Sequence, residues 1–511
     1  MTNTPHYSRE GTVELRLPGG WSVPWHRAAL VLIALVALWR LWYVTQLELI
    51  GDEAYYFLWS KHPDWSYYSK GPGVAAVIWL GTHLFGDSVF GIRCGSVALS
   101  AGTAYCLYRL GRKLFGGQTG FCALVLAAVT PLFAIGGVLM TIDPISVFCW
   151  AAAALAFWRA KDDASGGGWW LLTGALVGLG MLAKYTNIAQ LACFAVFCAL
   201  SRQHRRHLWR KNFWLMTLAA LVCLTPVIVW NYQHDWITVQ HLWQRGALDS
   251  EWHCSLGELW KFYTLQGIAY SPLFFMAIVS AAVAGLWRGR RDERVLYLEA
   301  LFWPLFLFYS ALSLHKAAEA NWVVPCYLSG FILATVIWHH WLGRWKLLAG
   351  AFVTVSVLVA LVMTAALTLG AWWRLPLKKD PLNRARGWAS LGAQVYELQK
   401  EHGATFVIGS DYGLASLVSF YLPRQPQTYL VTTPDVDNQY SFWSDYSDGF
   451  GNQSAIYVTA GEAPETLRRE FARVELLKES YTVWRGQNIK QFKFYLCREY
   501  GGAAAADGEA Q

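Results

Sequence analysis

Long apolar runs alternate with short polar connectors through most of the chain. The runs lie near residues 28–47, 90–108, 119–138, 144–158, 169–183, 187–200, 213–230, 270–287, 296–313, 321–339 and 347–370, and they predict about eleven transmembrane helices. The first run has no small-residue cleavage site behind it and others of similar length follow, so it reads as a retained span rather than a signal peptide. Residues 52–62 and 72–86 are too short and too polar at their ends to cross, and predict helices lying at the interface that could roof a cavity. After about residue 372 the periodicity changes. Segments 404–408, 428–431, 455–458, 474–477 and 492–496 read as strands, and 388–401, 411–421 and 463–473 as helices, giving a small α/β domain. The expected organisation is a segment 1–27, a membrane domain 28–371 whose first outer loop is 48–89, an α/β domain 372–500 and a tail 501–511. The stretches 1–20 and 501–511 have the composition of disordered ends.

Charge adds an orientation to this pattern. Lys and Arg gather in the connectors after the second, fourth, sixth, eighth and tenth runs: Arg112 and Lys113; Arg159 and Lys161; Arg202, Arg205, Arg206, Arg210 and Lys211; Arg288, Arg290 and Arg291; Arg344 and Lys346. The positive-inside bias places them, with the N-terminal segment, in the cytoplasm, and an odd number of spans then leaves the α/β domain outside. Composition agrees, since 55% hydrophobic and 15% charged residues with 29 Trp exclude a single soluble domain. The net charge of +8 is accounted for by these connectors, and no basic patch interleaved with aromatics points to nucleic acid.

The ten Cys contain no CxxC pair and mostly fall inside apolar runs, where Cys acts as a small hydrophobe. Only Cys254 and Cys497 fall in outer polar segments, and nothing in the sequence pairs them. No GxGxxG follows a strand and no GxxxxGK[ST] occurs, so neither a dinucleotide nor a nucleoside triphosphate site is signalled.

The outer connectors differ in kind from the cytoplasmic ones. They carry Asp52 and Glu53 with Lys70, then Asp143, Lys184, a Trp- and His-rich loop from Asn231 to Ala269, and His315, Lys316 and Glu319. Carboxylates and ammonium groups at membrane depth are costly and mark functional sites by default. Each has a plainer reading. Asp52 and Glu53 suit the first turn of a helix, Asp143 before Pro144 suits a helix start, and Lys184 can snorkel on its long stem. Tyr55, Tyr56, Tyr67 and Tyr68 serve equally as interface-belt aromatics or as ligand contacts. Several lysines on one side favour a phosphate partner, because an ammonium pairs with phosphate as a point charge.

The segment Gly51-Asp-Glu-Ala-Tyr-Tyr56, with Tyr67-Tyr-Ser-Lys-Gly-Pro72, Leu84-Phe-Gly86 and Arg93, resembles glycosyltransferase family 39 and its bacterial relatives in the C-type (GT-C) superfamily. That group includes protein O-mannosyltransferases, aminoarabinose transferases acting on lipid A and rhizobial galacturonosyltransferases. Asp143-Pro144, Leu182-Ala-Lys184, Glu319-Ala-Asn-Trp322-Val-Val-Pro325 and Asn438-Gln-Tyr-Ser-Phe-Trp443 continue the likeness, which covers essentially residues 28–450.

The resemblance implies a GT-C membrane protein with a periplasmic α/β domain in the bacterial inner membrane. It also implies inverting transfer of one sugar from an undecaprenyl-phosphate donor to a lipid or glycolipid acceptor such as lipid A. On that reading Asp52 and Glu53 are catalytic, with Asp52 as base or acceptor-orienting acid, and Lys70, Lys184 and Lys316 hold the donor phosphate. Asp143, Tyr55, Tyr56, Tyr68, Glu319 and Asn321 shape the sugar or acceptor pocket.

No cofactor is expected. In the aminoarabinose transferases a Glu belonging to a proposed metal site precedes the matching Lys, and here that position is Ser69, which argues against a divalent metal without closing the question. Those enzymes also carry an Arg where this chain has Tyr55, so their phosphate contacts do not carry over whole. Three alternatives remain: a flippase for polyprenyl-linked sugars, a protein O-glycosyltransferase with the same donor chemistry, and a scaffold for envelope synthesis. A flippase predicts charges along a path through the membrane, whereas these gather on one face.

Overall fold

The computed structural model describes residues 14–16, 22–163, 166–245, 251–344, 346–370, 372, 380–431 and 436–501. The expected disordered ends lie almost wholly outside these. All eleven apolar runs are helical. Six helices among the described residues are long and apolar enough to cross a membrane unaided: Trp25–Tyr43, Ile142–Ala160, Pro272–Gly289, Glu293–Leu312, Ala320–Trp338 and Gly350–Leu369. A seventh is the pair Lys211–Val222 and Thr225–Gln233, bent by 44° where Pro226 cannot continue the backbone ladder. The others are shorter, as in Gly117–Ala128, Gly168–Met181 and Tyr185–Leu200, or carry charge, as in the Val89–Phe115 helix with Arg93, Arg109, Arg112 and Lys113. The run at 119–138 breaks at Thr130, where Pro131 starts a separate short helix.

The chain divides into two compact units. One holds residues 1–44, 70–77 and 93–369. Its interior is a continuous apolar cluster, with the Phe157 and Phe194 rings stacked 4.0 Å apart and the Tyr297 hydroxyl donating to the Ala154 carbonyl at 2.6 Å. Its outside is also apolar. Val31, Leu35, Leu38 and Trp42 stand 54–63% exposed along one helix, a surface that suits lipid and would be penalised in water.

The other unit holds residues 45–69, 78–92 and 370–511, so much of the 48–89 connector clusters with the C-terminal residues. A five-stranded sheet forms its centre, in the order Tyr429–Leu430, Phe406–Gly409, Ala455–Thr459, Gln487–Tyr500, Phe471–Trp484. The first two pairings are parallel and the last two antiparallel. The helix expected over 463–473 shortens to Glu465–Glu470, because Phe471 begins a 14-residue strand whose alternating burial suits a half-covered edge. That strand returns through Arg485-Gly486, both at positive φ (49° and 76°), the two-residue turn that matches the twist of a hairpin and favours Gly at its second position. The ten cysteines are free thiols, Cys254 exposed and Cys497 buried.

Candidate functional site

In the first unit the site is built around a break in the helical bundle. Thr141 caps the Ile142–Ala160 helix by accepting from the Asp143 amide at 3.4 Å. The cap role thus falls to Thr141, and the Asp143 carboxylate is directed elsewhere. One oxygen accepts from Lys184 Nζ at 2.7 Å and the other from Asn321 Nδ2 at 2.7 Å. Lys184 Nζ also donates to the Asn321 carbonyl at 3.1 Å, closing a three-residue ring. Lys184 is buried rather than snorkelled, 7% exposed, and its ammonium is compensated by Asp143.

Local sequence fixes this geometry. Between the Gly168–Met181 and Ala189–Leu200 helices the chain narrows to a single 3₁₀ turn, Tyr185–Ile188, with Lys184 just before it. Asn187 pins that turn to the neighbouring helix by hydrogen bonds with Ser146 at 2.5 and 3.0 Å, and Gln190 adds one to the Trp150 carbonyl at 2.8 Å. The Lys70-Gly-Pro-Gly73 turn docks on the same segment. The Gly73 amide donates to the Leu182 carbonyl at 3.0 Å, and a Cβ on Gly71 would sit 2.4 Å from that oxygen. Only glycine allows so close an approach.

Lys70 is thereby held half-buried within electrostatic reach of His241, which shares the Ile237–Arg245 helix with Arg245 one turn on. Burial first, and then Lys70 and Arg245, push the His241 imidazole down to about 4. Arg245 also lies over the Trp322 ring at 5.8 Å. Neither Arg245 nor His241 was singled out by the sequence, where they sit in a loop known only as Trp- and His-rich. Their spacing of four residues was the available signal. Lys316 and Glu319 are exposed on their connector, and no described side-chain contact joins either to the Asp143–Lys184–Asn321 ring.

In the second unit the Gly51–Lys61 helix carries the acidic pair. Ile50 precedes its first turn and cannot cap it with its side chain, so Glu53 reaches back and accepts from the Ile50 amide at 3.1 Å. Glu53 is fully buried, and Asp52, half-buried, lies about 100° around the helix from it.

The helix is clamped by the Asn438–Trp443 segment. The Tyr55 hydroxyl accepts from the Gln439 amide at 2.6 Å, while Gln439 Oε1 accepts from the Tyr68 amide at 2.6 Å. Tyr55 stacks on Tyr440 at 6.1 Å, and His62 on Trp443 at 4.7 Å. Tyr56 is buried edge-on to Trp59 at 4.9 Å. Burial raises the Tyr55 phenol well above its ordinary range, as expected of a neutral packing group. A second anchor lies just upstream, where Glu48 accepts from the Trp388 amide at 2.5 Å. Among the described residues no three His, Cys, Asp or Glu side chains gather as a metal centre would require.

Comparison with known proteins bears on this arrangement. Residues 61–230 match the family model for dolichyl-phosphate-mannose-protein mannosyltransferases. Over 389 residues the chain is 29% identical to a lipid A galacturonosyltransferase, RgtD, of Rhizobium johnstonii, covering 75% of this chain and 80% of that protein. Over 431 residues it is 25% identical to an undecaprenyl phosphate-alpha-4-amino-4-deoxy-L-arabinose arabinosyl transferase of Pseudomonas aeruginosa, covering 72% and 76%. The fold is that of ArnT from Cupriavidus metallidurans, solved bound to undecaprenyl phosphate, with a TM-score of 0.60 at 16% identity over 91% of this chain and 97% of that one. The archaeal oligosaccharyltransferase AglB of Archaeoglobus fulgidus, solved with an inhibitory peptide and a dolichol-phosphate, follows at 0.53 and 13%, covering 85% and 69%.

Proposed function

We propose that this chain, a relative in sequence and in fold of the C-type membrane glycosyltransferases, moves one sugar from an undecaprenyl-phosphate donor to lipid A or another envelope glycolipid. The reaction takes place at the periplasmic face of the bacterial inner membrane, with the N-terminus in the cytoplasm and the residues after 372 outside. The observation that carries this reading is the seating of Lys70 on the Leu182–Lys184 segment within reach of His241 and Arg245.

Lys70 and Arg245 hold the donor phosphate, the Arg offering paired donors and the Lys a point charge. His241, neutral at pH 7, adds a donor to the phosphate oxygens. Lys184 has a different role from the one the sequence suggested. Its charge is compensated by Asp143, so it fixes the Asp143 and Asn321 groups for the sugar hydroxyls rather than binding phosphate directly.

The acceptor oxygen attacks the anomeric carbon from the side opposite the phosphate, the carbon–oxygen bond to phosphate breaks, and the electron pair leaves with polyprenyl phosphate. Cations at the phosphate stabilise the charge that develops there. Asp52 takes the acceptor hydroxyl proton. For an acceptor that is itself a phosphate no proton need be removed, and Asp52 then only orients. Glu53 is a helix-capping group and contributes no proton transfer.

The test uses purified protein in bilayers with a panel of undecaprenyl-phosphate sugars and lipid A, reading free polyprenyl phosphate and acceptor mass. Asp52→Asn should abolish transfer to a hydroxyl acceptor while donor still binds, and Glu53→Gln should retain most of it. No transfer across a complete panel, with labelled donor crossing the bilayer, would establish a flippase instead.

A further inference from the structure

A cavity of about 370 Å³ opens among the Trp25–Tyr43, Val89–Phe115 and Ile142–Ala160 helices, lined by His26, Arg109, Arg112, Lys113, Leu155 and Arg159. Its volume lies within the roughly 300–1,000 Å³ typical of small-ligand sites. It is remote from the chemistry described above. Arg159 follows Asp143 by sixteen residues on one helix, about 24 Å at 1.5 Å per residue, so the cavity lies at the opposite end of that helix from the Asp143–Lys184 pair.

The lining contains three guanidinium groups, one ammonium and no carboxylate, with Arg109 and Arg159 half-buried and Arg112 and Lys113 exposed. Among the described residues no carboxylate lies within salt-bridge distance of Arg109, Arg112, Lys113 or Arg159, because the nearby acids are engaged elsewhere. Asp162 pairs with Lys161 at 2.8 Å, Glu293 with His204 at 2.7 Å and Asp292 with Arg294 at 2.7 Å. Burial first, and then Arg159, Lys161 and Arg109, hold the Lys113 ammonium below its ordinary range, with Asp162 opposing them in part.

The guanidinium groups are also pre-positioned. Arg159 lies over the Trp169 ring at 4.8 Å, and Arg109 donates to the Tyr105 hydroxyl at 2.6 Å. A guanidinium stacked by its face keeps its in-plane N–H donors for a ligand. Topogenic charge need only lie on one side of the membrane, where long side chains disperse into water. Convergence of four cations on one cavity is more than orientation requires, and it has the form of the basic pockets between spans that bind lipid headgroups.

We infer that this cavity is a binding site for a phosphate-bearing anion, either the headgroup of an acidic lipid or free phosphate. The proposed orientation decides only that the cytoplasmic leaflet supplies the lipid, and the binding itself does not depend on the transfer reaction.

The test places the full chain in phosphatidylcholine bilayers with or without cardiolipin, and separately with inorganic phosphate, reading retained lipid by native mass spectrometry and thermal stability. Cardiolipin should be retained and should raise the unfolding midpoint. The Arg112→Gln, Arg159→Gln double variant should weaken retention about tenfold or more, and the corresponding double Lys variant should retain most of it. An equal rise with inorganic phosphate and no lipid retention would assign the site to free phosphate. Because the Gln variant can fail to fold, a second arm follows amide exchange of residues 105–115 in the wild-type protein, where added cardiolipin or phosphate should give protection. Equal binding by wild type and Gln variant, or no protection from either anion, overturns the inference. The readout is binding, so its failure is distinct from a failure of sugar transfer.

Discussion

Lys184 and Asp143 were each expected to meet a ligand, and in the structure they pair with one another. The pair is largely removed from water, with side-chain exposures of 8% and 19%. Breaking one partner of such a pair leaves an uncompensated charge, at a cost of about 3 kcal/mol. Lys184→Met should therefore destabilise the protein by about that amount. Adding Asp143→Asn should recover part of the loss, as denaturant unfolding of the two variants in nanodiscs would show; additive losses would mean the two residues act separately.

His241 offers a pH signature at the same scale. Its imidazole resists protonation until about pH 4, because burial and then Lys70 and Arg245 oppose a further charge, while the unfolded chain takes up that proton near pH 6.5. Between those values the unfolded state binds more protons, so stability falls as pH drops from about 6.5 towards 4. The melting midpoint of the wild type should fall more steeply over that window than that of His241→Gln. Neither relation was legible in the sequence. A salt bridge across 41 residues and a charge contact across 171 depend on how helices are brought together, which local periodicity does not encode.

At the scale of elements, the apolar runs were legible because membrane insertion demands about twenty apolar residues and leaves a strong period. Their interruptions were less so. Pro131 and Pro226 sit inside otherwise continuous apolar stretches, and only backbone geometry decides whether such a stretch bends or stops. Three strands of the second unit were placed to within two residues, whereas 474–477 and 492–496 mark only the middles of two 14-residue strands, the first of which starts at Phe471 where a helix end was expected. The clamp on the Gly51–Lys61 helix is hidden from the sequence, although the Asn438–Trp443 segment belongs to the family resemblance, because a glutamine that serves two tyrosines has no sequence signature. Gln439→Ala should free the Tyr68 amide, a loss of about 1–3 kcal/mol for a buried group left unpaired. Faster protease cutting near residues 62–69 and reduced transfer with unchanged donor binding are expected; unchanged cutting would show that the stacked rings suffice.

For the whole molecule the expected orientation is open to a direct check. Cys254 is the exposed cysteine among the ten, in the long connector assigned to the outside. A membrane-impermeant maleimide should label wild-type protein in intact spheroplasts and fail to label Cys254→Ser, whereas labelling only after lysis would reverse the topology. Charge bias is the sequence's basis for that expected orientation; the division into units was not legible, since residues 45–69 and 78–92 associate with residues more than 270 positions away.

The separation of those segments sets a timetable for synthesis. At about 5–20 residues per second, the ribosome needs roughly a quarter of a minute to a minute to travel from Ile92 to Gly370. Throughout that interval the Asp52-bearing helix has left the ribosome without Tyr440, Gln439 and Glu48's partner Trp388. The Gly51–Lys61 helix thus waits for the last quarter of the chain before Gln439 can tie Tyr55 to the Tyr68 amide.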